Sequence, residues 1–157
     1  MGLLVALSGV SDSARAADRT AATIARSASN EQTDRQVDQV ALATQYIAIS
    51  RLQNLLKKYT NTAQEAVFLS KLADIQLQKA SIQFRVAHGI ASHGRKALDL
   101  SAHRKTSLSA ISSLNRLISK YPEFDEFPHA YFLRGKAYED IEDKKKAGQD
   151  YLYLVKH

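Results

Sequence analysis

Residues 48–60 read AISRLQNLLKKYT, and residues 110–122 read AISSLNRLISKYP. Seven of the thirteen aligned positions are identical: Ala48/Ala110, Ile49/Ile111, Ser50/Ser112, Leu52/Leu114, Leu55/Leu117, Lys58/Lys120 and Tyr59/Tyr121. The leucines and isoleucines recur mostly at steps of three and four, the period of one helical face. A helix with its terminating turn, used twice, predicts a stacked helical array. In such an array each unit buries its apolar face against its neighbours, and one outer surface is left for binding.

Outward from the first copy, Val37, Val40, Ala41, Ala48, Leu52, Leu55, Leu56 and Tyr59 continue one apolar face. Thr33 and Gln36 have capping-box spacing, so the helix is expected to open near Thr33. Thr60-Asn61-Thr62 breaks the pattern, and Thr62 with Glu65 makes a second capping box. The helix that follows carries Phe68, Leu69, Leu72, Ile75, Leu77, Ile82 and Val86, with Gly89 as its expected stop. Two helices joined by a short turn make an antiparallel hairpin over residues 33–88.

Residues 89–104 read as a linker, with the next helix starting at Leu98 or at Thr106. It carries the second copy as far as Pro122, which cannot continue a helix. Pro128 suits the first turn of the next helix, where its missing N–H leaves nothing unsatisfied. Glu142-Asp143 is a polar turn, and a last helix carries Ala147, Tyr151, Leu154 and Val155. The expected fold class is therefore all-α, an antiparallel helix-hairpin array of about five helices.

The spacing within residues 105–157 resembles the tetratricopeptide repeat. Tyr131, Gly135 and Tyr138 match the aromatic, small and tyrosine positions of that family's first helix. Ala110, Leu114, Leu117 and Pro122 match its second helix, and so do Ala147, Tyr151 and Leu154. Ala110 and Ala147 are 37 residues apart, close to the roughly 34-residue period of the family. In the first hairpin, Phe68 and Ile75 stand at the aromatic positions, but Leu72 replaces the small residue. The resemblance implies an α-solenoid that binds another protein, or stacks on further repeats of the same chain. It implies an inner face built by successive first helices, with Phe68, Lys71, Tyr131, Arg134 and Tyr138 as the candidate partner-binding residues. The two Lys-Tyr endings also resemble repeats of bacterial cell-envelope and gliding-motility scaffolds.

The amino terminus points the same way. Leu3-Leu4-Val5-Ala6-Leu7 followed by Ala14-Arg15-Ala16 resembles the end of a secretory signal peptide, cut before Ala17. No basic residue precedes the short apolar run, which fits a start codon assigned too far downstream. Residues 1–16 are expected to be a signal-peptide remnant, 17–32 a flexible lead-in, and 33–157 the helical domain. A periplasmic or exported protein follows, with the cytoplasm as the alternative. The chain stops one turn short of a completed helix, so an amino-terminal fragment, or a partner that covers this end, is expected.

Composition bounds the chemistry. The 157 residues are 45 % hydrophobic and 24 % charged, with two prolines and six glycines, which favours helix. No run is apolar and long enough to span a membrane. Cysteine is absent, which removes disulfides, thiolate metal sites and a cysteine nucleophile. The net charge of +6 motivates an alternative reading, a basic helical module that holds nucleic acid or an anionic envelope polymer. Against nucleic acid, no aromatic residues interleave with the basic ones as stacking platforms.

His88, His93 and His103 lack the i, i+4 spacing that aims two imidazoles at one metal, and read as solvated linker residues. The acids at Glu123, Asp125 and Glu126, and those from Glu139 to Asp143, sit in turns where they offset helix dipoles. No nucleophile elbow, phosphate loop or dinucleotide fingerprint occurs. No catalytic residue, metal, cofactor or small-molecule substrate is expected.

Overall fold

The computed structural model describes residues 9–92, 94 and 97–156. The apolar stretch read as a signal remnant lies outside these, as do His93, Arg95, Lys96 and His157. Every regular element among the described residues is a helix: α1 (Gly9–Lys58), α2 (Ala63–Ser92), α3 (Ser101–Lys120), α4 (Phe127–Asp140) and α5 (Lys144–Lys156). Contacts divide the chain into two units, Met1–Gln39 and Val40–His157.

In the first unit the helix runs through residues 17–32, which carry no breaker and many alanines. Thr33 does not open it. Its Oγ1 donates to the Ser29 carbonyl at 3.0 Å, the i−4 bond of a threonine inside a helix. Arg35 and Glu31 pair at 3.1 Å along the exposed surface.

The second unit is a run of antiparallel neighbours, readable from which residues meet. Tyr59 packs edge-on against Phe68, whereas Gln45 donates to Gln78 at 3.2 Å. Partners thus run down α1 as they run up α2. Lys79 sits 3.5 Å above the Tyr46 ring on the same interface, a cation–π contact. Glu65 and Gln76 of α2 meet Arg116 and Ser113 of α3 in the same sense. Asn115 meets Arg134 where α3 passes α4, and Arg134 meets Asp150 where α4 passes α5. The helices α2 and α4 also touch.

Among the described residues, Asn61, Gly94 and Glu142 are left-handed turn residues, each with φ near 65°. Gly89, the expected stop, lies inside α2, which continues to Ser92. Gly94 supplies the turn instead, with its N–H on the Ala91 carbonyl at 2.9 Å. The next helix starts at Ser101, between the two expected positions, where Asp99 accepts from the Ser101 N–H at 2.9 Å. Pro128 falls in the first turn of α4, as expected.

The core joins Leu56 of α1, Leu69, Leu72 and Ala73 of α2, Leu114 and Leu117 of α3, and Ala130 and Leu133 of α4. Ile49 and Leu52 pack against it from α1, and Phe68, Tyr121, Phe124 and Phe127 close its edges. The core-facing stripe of α1 is thus Ile49, Leu52 and Leu56, a narrower face than the sequence pattern predicts. Val37, Val40 and Leu55 are exposed.

Candidate interaction surfaces

A tightly built polar cluster surrounds Glu65, the third residue of α2, whose side chain has no exposed surface. Its Oε1 accepts from Arg116, and its Oε2 from the Tyr121 hydroxyl, the Asn61 N–H and Lys120 at 2.9 Å. Lys120 also donates to Asn61 Oδ1 at 2.5 Å. Burial alone raises the carboxyl pKa. The hydrogen bonds from Tyr121, Asn61 and Lys120, with the charge of Arg116, outweigh it and bring the value down to about 2. The knot ties the first turn of α2 to the last turn of α3, so that the α2–α3 hairpin is closed by charge-assisted bonds. The expected Thr62–Glu65 capping box does not form: Glu65 takes the Asn61 N–H, and the Thr62 N–H goes to the Tyr59 carbonyl. The Thr62 hydroxyl also donates to the Tyr59 carbonyl, at 2.7 Å, and does not cap.

The five candidate binding residues lie on α2 and α4, and they differ in how free they are. Lys71 is exposed. Phe68 is half-buried and packs on the core beside Tyr59. Tyr131 stacks on Tyr153 with ring centres 3.9 Å apart and planes 12° apart. Tyr138 is half-buried with the Lys146 ammonium 5.2 Å from its ring centre. Arg134 grips Asp150 with two bonds, at 2.8 and 2.6 Å, and reaches Asn115 at 2.8 Å. The hydrogen-bonded Asp150 carboxylate raises the guanidinium pKa further, against the opposing effect of burial. Arg134 therefore joins α3, α4 and α5, and Lys71 is the cation of this set that is open to a partner.

The positions assigned to repeat packing are placed as follows. Ala110, Leu114, Leu117, Gly135 and Ala147 are buried, Tyr151 and Leu154 are half-buried, and Pro122 is exposed just past the end of α3. Gly135 explains the fit of α4 on α5. A Cβ there would lie 2.5 Å from Cε1 of Tyr151, so only glycine admits the ring. The Tyr151 hydroxyl donates to Glu139 at 2.8 Å, and burial together with that bond pushes its pKa up to about 12.

One residue differs from the sequence reading. His103 is not a solvated linker residue but is buried near the start of α3. One ring nitrogen is 3.0 Å from the Ala80 carbonyl and the other 3.1 Å from the Asp140 carbonyl. It joins α2, α3 and α4, and Ser107 adds a bond to the Asp140 carboxylate at 3.3 Å. Asp150 is the buried partner of Arg134. Its partner lies on another helix, 16 positions away, and no local spacing marks such a pair. Local spacing marks Glu65 only as a cap, because its three side-chain partners lie more than 50 positions along the chain.

No group of three or more histidines and carboxylates is placed to hold a metal among the described residues. Among them, no helix is long and apolar enough to cross a membrane. No family model matches the chain, and neither a curated protein nor a solved structure does.

Proposed function

We propose that this chain is a protein–protein interaction scaffold built from tetratricopeptide-like helix hairpins, serving a complex in a bacterial envelope. The observation that carries the repeat reading is Gly135 against Tyr151. A small residue on one helix admits an aromatic ring from the next, which is what the repeat spacing requires of those two positions. The contact between α2 and α4 supports it, since an inner face requires successive first helices to touch. On this reading the partner lies along α2 and α4, over Phe68, Lys71, Tyr131 and Tyr138, with Arg134 holding α4 in place. Protein binding follows from the architecture by analogy. The signal-like amino terminus and the Lys-Tyr helix ends support the envelope.

The test is a photo-crosslinking amino acid placed in living cells at position 71 and, as a control, at the exposed position 144. A discrete protein adduct at 71, absent at 144 and lost when Phe68 is also changed to Ala, is expected. Equal adducts at both positions, or none at 71, would reject this face.

A further inference from the structure

A second site lies away from the α2–α4 face. A cleft of about 660 Å³ opens between α1 and α3, over α2. Its volume falls in the range of ligand-binding sites, roughly 300–1,000 Å³. Its two walls are the two copies of the repeated segment. Ser50 on one wall and Ser112 on the other are equivalent positions. The floor is apolar, made by Leu56, Leu69 and Leu72.

The walls are polar and carry one sign of charge. Gln53, Asn54 and Lys57 project from α1, and Ser112, Ser113 and Arg116 from α3. No carboxylate is among the lining residues. Arg116 is prearranged, because Glu65 behind it holds one Nη while 45 % of the side chain stays exposed. Its remaining N–H groups can serve a ligand with little further ordering. Primary amides supply both a donor and acceptors, which matches an extended peptide backbone. Lys57 and Arg116 match carboxylates. The apolar floor of Leu56, Leu69 and Leu72 matches an aliphatic side chain. The lined stretch of α1, Ser50 to Thr60, is about 15 Å long at 1.5 Å per residue, and about five extended residues cover that length.

We infer that the α1–α3 cleft binds an extended acidic peptide segment of about five residues with an aliphatic side chain at its centre. The inference goes beyond the scaffold face on α2 and α4 and uses none of its residues.

The experiment is fluorescence anisotropy of a labelled Asp-Glu-Leu-Asp-Glu peptide with the full chain, beside a Lys-Lys-Leu-Lys-Lys peptide of equal length. The acidic peptide is expected to bind and the basic one not to. Lys57→Glu should weaken binding at least tenfold, a loss of about 1.4 kcal/mol. Its melting midpoint should not move, since Lys57 is exposed. Lys71→Glu should leave peptide binding unchanged, which separates this site from the scaffold face. Equal binding of both peptides, or full affinity in Lys57→Glu, would overturn the inference. Self-association abolished by Lys57→Glu would assign the cleft to a second copy of the chain, and tighter binding of a single-stranded oligonucleotide would assign it to nucleic acid. Either result also overturns the peptide site.

Discussion

Leu117 has no exposed surface, whereas Leu55, its counterpart in the first copy of the repeated segment, keeps 36 % of its own. The same holds at three further shared positions, although Leu56 is buried where the second copy has the half-buried Ile118. Ala110, Ile111 and Leu114 are buried, whereas Ala48, Ile49 and Leu52 are half-buried. The copies share these residues, so the difference comes from the neighbours. The helix α3 lies between α2 and α4 and touches both. The second copy therefore fills the core from two sides, and the first rests its Ile49–Leu56 stripe on the core from one side. A repeat predicts equivalent local structure. It does not predict equivalent burial, because burial depends on place in the stack.

The hydrophilic ends of the copies diverge too. Lys120 and Tyr121 hold the Glu65 carboxylate, whereas Lys58 and Tyr59 have no such acid before them, and Tyr59 meets Phe68 instead. Arg116 stands where the first copy has Asn54. The second copy alone is thus locked to the start of its hairpin.

The largest expected effect breaks this comparison in the core. Leu117→Ala should cost about 3–5 kcal/mol in chemical denaturation, through lost transfer energy and the cavity left behind. Leu55→Ala should cost less than about 1 kcal/mol, because water already reaches that side chain. Equal losses would mean that the copies are equally packed.

Next in size is the knot. Glu65→Gln should cost about 1–3 kcal/mol near neutral pH, as a neutral amide replaces charge-assisted bonds. The carboxyl pKa lies near 2 in the folded chain against an ordinary 4.5. The carboxylate therefore stabilises the fold above about pH 4.5, and this contribution is lost as pH falls toward 2. An acid melting series should show that loss in the native chain and a flatter slope in Glu65→Gln. Parallel slopes would remove Glu65 from the acid response.

A smaller effect sharpens the same contrast. Tyr121→Phe removes a donor from a buried carboxylate and should cost about 1–2 kcal/mol. Tyr59→Phe should stay within about 0.5 kcal/mol, since its ring packing is kept. The smallest effect belongs to the proposed binding face on α2 and α4. Lys71→Glu should leave stability within about 0.5 kcal/mol, as an exposed substitution does. Partner capture should nevertheless be lost, and a melting curve beside the crosslinking assay checks both.

The helical class and the hairpin order were legible because period and turn chemistry are local. The repeated segment, Pro128 and the Glu142-Asp143 turn all report within a few residues of themselves. Helix limits were less legible where a cap-like residue had another use. Thr33 bonds back inside its own helix, and Gly89 is simply a helical glycine. The polar joints were hidden for a different reason. Glu65, His103, Arg134 and Asp150 take their partners from other helices, so their roles appear only after the helices have packed. The cleft between α1 and α3 was hidden in the same way, although both of its walls belong to the repeat from which the fold was read.

Native-state amide hydrogen exchange compares the two copies most directly. Amides across residues 110–120 are expected to exchange only through global unfolding. Those across residues 48–58 should exchange through a lower-energy opening that frees α1 from the α2–α4 body. Equal protection of the two segments would contradict it, because the first copy would then be as much a part of the core as the second.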